Sequence, residues 1–154
     1  MLGDCAYGSP EPWRNVTTAT VISELERNDV LLPLDWIEVV HVDELDELLA
    51  TVRWSEAMGV DPARGANLGE ATVCAWAEVH GAMAIIDDQD AREVAARAGL
   101  PVHGSLWVIT EAVRAGRISP ASASSFVDIL IKTGARYPCG LGGFVPWARG
   151  KGLV

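Results

Sequence analysis

The stretch Met83-Ala84-Ile85-Ile86-Asp87-Asp88-Gln89-Asp90-Ala91-Arg92 decides how this chain is read. Residues 83–86 form a short continuous apolar run, the composition of a strand buried on both faces. Asp87 and Asp88 follow at its carboxyl end. Ala91, Val94, Ala95 and Ala98 then recur on one side of a helix predicted from about Gln89 to Ala98. Gly99 stops that helix, and Pro101-Val102-His103 begins a very short second strand.

Working toward the N-terminus, Gly81 ends a helix that carries Leu68, Ala71, Thr72, Ala75, Trp76 and Val79 on one face. Its start matches the polar spacing of a capping box, Asn67 with Glu70. The segment from Gly59 to Gly65, with Pro62, reads as a loop. A helix through Leu45, Leu48, Leu49 and Val52 runs to about Met58, with Asp43 as its expected cap. The β-branched run Trp36 to Val42 reads as a strand, and Thr17 or Thr18 caps a helix that reaches Asn28. Residues 1–15 hold Gly3, Gly8, Pro10 and Pro12 and read as irregular.

Toward the C-terminus, Gly104-Ser105 opens a helix that ends near Gly116. Ser119-Pro120 is an N-cap and first-turn pair for a further helix through Phe126, Ile129 and Leu130. From Tyr137 onward the Gly and Pro content predicts an extended tail. Strands alternating with helices predict an α/β chain with a parallel sheet. In such sheets functional groups collect beyond the carboxyl ends of strands, where Asp87 and Asp88 fall. The organisation expected is one domain over 1–154: an irregular start (1–15), an α/β core (16–136) and a tail (137–154).

Composition bounds the function. The chain has 154 residues and a net charge of -9, so a broad basic face for neutralising many phosphates is not expected. Activity on nucleic acid would need a locally acidic, metal-loaded site, with Arg92, Arg97, Arg114 and Arg117 as helpers. Cys5, Cys74 and Cys139 have no CxxC spacing, and His41, His80 and His103 have no metal-ligand spacing. No apolar run is long enough for a membrane span and no leader is visible, so a cytoplasmic protein is expected. Gly140-Leu141-Gly142-Gly143 lacks the GK[ST] of a phosphate loop, and no GxGxxG follows a strand, which argues against a dinucleotide-binding enzyme.

Four acids stand at positions suited to metal chemistry: Glu24 on a helix, Glu70 at a helix start, and Asp87 and Asp88 at a strand end. Hard divalent cations take oxygen ligands, so several such carboxylates form a plausible donor set. Each acid also has a purely structural reading. Glu24 would pair with Arg27 or Asn28 on a solvated helix, Glu70 would complete the box with Asn67, and Asp88 would cap the next helix. Ser105 is read as a cap in preference to a phosphate contact.

Several ordered segments resemble the DUF3368 branch of the PIN-like nucleases. They are Gly69-Glu70-Ala71; Ala84 through Arg92; Ala95; Gly99-Leu100-Pro101-Val102-His103-Gly104-Ser105; and Ala112 with Gly116-Arg117-Ile118. More weakly, Val16 through Leu25 is similar to the segment before the family's second acid. The resemblance implies a three-layer α/β/α sandwich with a central parallel sheet and a Mg²⁺- or Mn²⁺-dependent ribonuclease of the toxin–antitoxin kind. Glu24 would be the second acid, Glu70 the third, and Asp88 or Asp87 the fourth, with Glu24, Glu70 and Asp88 holding metal. Arg92 would be structural or charge-balancing and not a catalyst. Expected partners are an RNA substrate and a small antitoxin protein; a homodimer is compatible with the reading.

One departure qualifies the resemblance. PIN-like domains open on an apolar strand that ends in aspartate, followed by a helix, and here Glu24 arrives too soon for both. Asp4 follows no strand. The expectation is therefore that either the true start lies upstream of Met1 and supplies the missing aspartate, or the fold is N-terminally truncated and lacks the first strand and its acid. The alternative function is a non-catalytic PIN-like module that binds nucleic acid or protein.

Overall fold

The computed structural model describes residues 13–28, 30, 33, 35–61 and 65–154. They fall into two compact units, the first ending at Val79 and the second running from His80 to Val154. Most of the irregular segment expected at 1–15, with Asp4 and Cys5, lies outside the described residues.

Each unit contains one parallel strand pair joined through a helix. In the first, β1 (Val16–Thr18) pairs with β2 (Glu38–Val40), in the register Val16 to Glu38 and Thr18 to Val40. Between them lies α1 (Ala19–Arg27), whose N-cap is Thr18: its hydroxyl accepts the Val21 N–H. In the second, β3 (Ala84–Ile85) pairs with β4 (Val102–His103), with α4 (Gln89–Arg97) between them. The chain is thus α/β with parallel pairing, as the alternation in the sequence implies. Burial along β3 corrects one expectation: Ala84 and Ile86 are buried but Met83 and Ile85 are exposed, so one face of this strand is covered and not both. Among the described residues the strands form two separate two-stranded sheets.

The first unit adds α2 (Leu45–Met58) and α3 (Leu68–His80). The N-cap of α2 is Glu44 and not Asp43. The reason is Glu47, whose buried carboxylate accepts the N–H groups of both Asp43 and Glu44 and so sets the helix start one residue later. At the other end of α2, Trp54 is buried and its indole N–H donates to Glu78 of α3 over 2.6 Å. The buried residues of α3 are Gly69, Ala71, Thr72, Cys74, Ala75 and Ala77. The expected capping box at its start is not formed by the Asn67 amide. Asn67 takes a left-handed backbone (φ 64°), and its amide donates to Met58 O at 3.3 Å.

The core of the second unit lies among α5 (Ser105–Arg114), α6 (Pro120–Lys132) and α7 (Phe144–Gly150). It consists of Leu106, Ile109, Ala123, Val127, Cys139, Phe144 and Ala148. Ser119 caps α6 by accepting the Ser122 N–H at 3.0 Å, with Pro120 in the first turn. The tail expected to be extended instead folds into α7. Gly143 N–H closes a turn on Gly140 O, Gly142 N–H donates to Asp128, and Phe144 and Ala148 then enter the core four residues apart. Pro146 does not oppose this helix, because it sits in the first turn, where a backbone N–H would lack an intrahelical partner anyway.

Phe144 is fully buried, whereas Phe126 is 51% exposed. Phe144→Ala is expected to lower stability by ~3–5 kcal/mol and Phe126→Ala by less than about 1 kcal/mol. Urea denaturation of the two variants checks this. Equal losses would mean that α7 does not anchor the core.

Candidate functional site

In the second unit, the ladder of β3 continues through Ile86, whose N–H donates to His103 O at 2.8 Å. The chain then leaves the sheet at Asp87 and Asp88, both exposed. Asp88 is the N-cap of α4, with extended backbone (φ -64°, ψ 125°), and its Oδ1 accepts the Ala91 N–H at 2.8 Å. Asp87 does something different. Its Oδ1 accepts the Ser105 N–H at 2.7 Å, holding the end of β3 against the first residue of α5. The neighbouring Gly104 leaves room for this: a Cβ there would stand 3.1 Å from Asp87 Oδ1.

Arg92 donates from one guanidinium nitrogen to the carbonyls of Ile86 and Asp87, so it braces the strand end. Ser105 departs from expectation. Gly104 occupies the N-cap position, and the Ser105 hydroxyl pairs with Tyr137 OH at 2.7 Å. His103 stacks on Trp107 (centroids 4.4 Å apart, planes 8° off parallel), and burial lowers its pKa against the opposing pull of Glu111.

In the first unit, Glu24 projects from α1 and its Oε1 accepts the Gly69 N–H in the first turn of α3, at 3.1 Å. The side-chain pairing with Arg27 or Asn28 is not made. Arg27 donates to Ser23 O, and the Asn28 amide donates to the backbone carbonyl of Glu24. Glu70 is the next residue after Gly69 and is half-buried. Its charge is felt by Cys74 one turn on: burial first, then Glu70 and Glu78, push that thiol up to about 12. At physiological pH Cys74 is therefore a neutral thiol and not a nucleophile.

Beneath these acids lies a buried hydroxyl chain that sequence reasoning did not detect. Thr18 Oγ1 and Thr72 Oγ1 are 2.8 Å apart, and Thr72 donates to Gly69 O at 2.8 Å. With the Thr72 proton on that carbonyl, the Thr18 hydroxyl must donate to Thr72, while its own oxygen accepts from Val21. Polar residues on an otherwise apolar helix face were the available signal, but threonine is common in such places and carries no pairing information.

The four acids are thus two pairs. Glu24 and Glu70 belong to the first unit, Asp87 and Asp88 to the second. Glu24, Asp87 and Asp88 each hold a backbone N–H through one oxygen. The second oxygen of each is of the hard type that Mg²⁺ and Mn²⁺ prefer, so the donor chemistry fits such an ion. Among the described residues, no three His, Cys, Asp or Glu side chains gather into a metal-holding group. No helix among them is long and apolar enough to cross a membrane.

No curated protein and no solved structure gives a significant match to this sequence. The family DUF3368, described as a PIN domain, matches residues 12–141, which include all four acids and end before α7. The chain belongs to this family, a PIN domain and hence a nuclease-type module.

Proposed function

We propose that this protein is a Mg²⁺- or Mn²⁺-dependent ribonuclease that hydrolyses RNA phosphodiester bonds, with Glu24, Glu70, Asp87 and Asp88 as its acids. Glu24, Glu70 and Asp88 are assigned to metal holding. The observation that carries the reading is the anchoring of Glu24, from α1, on the Gly69 N–H, one residue from Glu70. Two acids distant in sequence are thereby fixed at one helix start, and the family match supplies the nuclease context. The cation, when bound, would activate water and offset charge on the phosphate.

The chain's own contribution is to orient Glu24, Asp87 and Asp88 through the backbone N–H groups they accept. The proposal includes the family-type arrangement, a three-layer α/β/α sandwich with one central parallel sheet, and a cytoplasmic setting in which a small antitoxin protein restrains the nuclease. A homodimer is compatible with it.

A second reading, a non-catalytic PIN-like module that binds nucleic acid or protein, is favoured by one observation. Asp88 and Asp87 both make backbone hydrogen bonds that would by themselves account for their presence.

Asp88→Asn separates the two readings, because asparagine caps a helix as well as aspartate does. For the nuclease, wild-type protein with Mn²⁺ cleaves single-stranded RNA, and Asp88→Asn cuts the rate by at least about 100-fold at nearly unchanged stability. Asp88→Ala should in addition cost ~1 kcal/mol through the lost cap. Unchanged cleavage in Asp88→Asn would remove Asp88 from the site. Millimolar Mn²⁺ should also raise the melting temperature of the wild type; no rise, with no cleavage, would favour the binding module.

A further inference from the structure

The anchoring of Glu24 depends on an absence at position 69. A Cβ built on Gly69 would stand 2.5 Å from Glu24 Oε2, closer than packed atoms approach, and a tight 3.2 Å from its Cδ. The obstructed atoms are the end of a flexible side chain, so an alanine would be accommodated by moving the carboxylate and not the backbone. Gly69 lies inside the first turn of α3, where glycine is a poor helix former. On helix stability alone, alanine would serve better there. Glycine is favoured by the carboxylate it admits.

The hydroxyl chain holds the other side of the same joint. Thr18, the N-cap of α1, donates to Thr72 on α3, and Thr72 donates to the carbonyl of Gly69 itself. Gly69 therefore offers its N–H to the Glu24 carboxylate while its carbonyl is fixed by Thr72. Thr18 and Thr72 are both buried. α1, which carries Glu24, is tied to the start of α3, which carries Glu70, at two points: Thr18 at its N-cap and Glu24 in its second half.

We infer that Gly69, Thr72 and Thr18 are positioning residues that set the Glu24 carboxylate beside Glu70 for a divalent cation. This rests on the ribonuclease reading above, and its test is built so that the two fail differently. Mn²⁺ affinity is measured by isothermal titration for wild type, Gly69→Ala, Thr72→Val and Thr72→Ser, with the melting temperature of each metal-free protein.

Gly69→Ala should weaken Mn²⁺ binding about 10-fold or more, with a melting temperature equal to or above wild type. Thr72→Val should also weaken binding, and Thr72→Ser, which keeps the hydroxyl, should restore it. If wild type binds Mn²⁺ and Gly69→Ala binds it equally well, the positioning role is overturned and the nuclease reading stands. If Gly69→Ala loses affinity only together with melting temperature, Gly69 is merely structural and the inference is again overturned. If the wild type itself binds no Mn²⁺, the nuclease reading fails and takes this inference with it.

Discussion

Two carboxylates, Glu24 and Asp87, each accept a backbone N–H in the first turn of a helix that begins later in the chain. Helix starts leave N–H groups without intrahelical partners, and a carboxylate satisfies one of them while meeting the positive end of the helix dipole. In the first unit this interaction joins α1 to α3, and in the second it joins the end of β3 to α5. Both contacts occur beside a glycine, Gly69 or Gly104, where a side chain would crowd the carboxylate. The same bonds serve the fold and aim the acids. For this reason a structural and a catalytic account of these residues share most of their observations.

Much of the fold was legible because helix ends are written in local chemistry. Ser119-Pro120, Gly81 and Gly99 mark boundaries through capping and through left-handed backbone, and the structure places helix ends at them. Strands were harder to read. β1 covers only Val16–Thr18, too short for any alternation to show, and it exists because Glu38–Val40 offers a partner some twenty residues on. The α7 helix escaped for the opposite reason. Gly140 to Gly143 and Pro146 signal irregular chain locally, while the core position of Phe144 is a property of tertiary packing with α5 and α6. On α2, Leu45, Leu48, Leu49 and Val52 mark the helix in sequence but are exposed, and Glu47, Ala50 and Trp54 are the buried residues.

The acids themselves could be picked out from sequence, but their individual tasks could not. Asp87 and Asp88 are adjacent and chemically alike, yet one grips α5 and the other caps α4. That distinction depends on where Ser105 arrives in space, which no local pattern records. The link from Glu24 to Gly69 spans 45 residues and is equally invisible to periodicity. Family resemblance named Glu24 and Glu70 together, and the hydrogen bond gives a physical reason for the association. Ser105 shows the limit of capping rules: its hydroxyl meets Tyr137, a long-range partner that outcompetes a local cap.

The central claim is that the acid held at the start of α3 binds a catalytic cation. Crystals soaked in Mn²⁺ and measured at the manganese absorption edge test it most directly. The account predicts an anomalous peak bonded to the carboxylate of Glu24 or Glu70. Manganese found only elsewhere, with both carboxylates still engaged solely by protein groups, would contradict it.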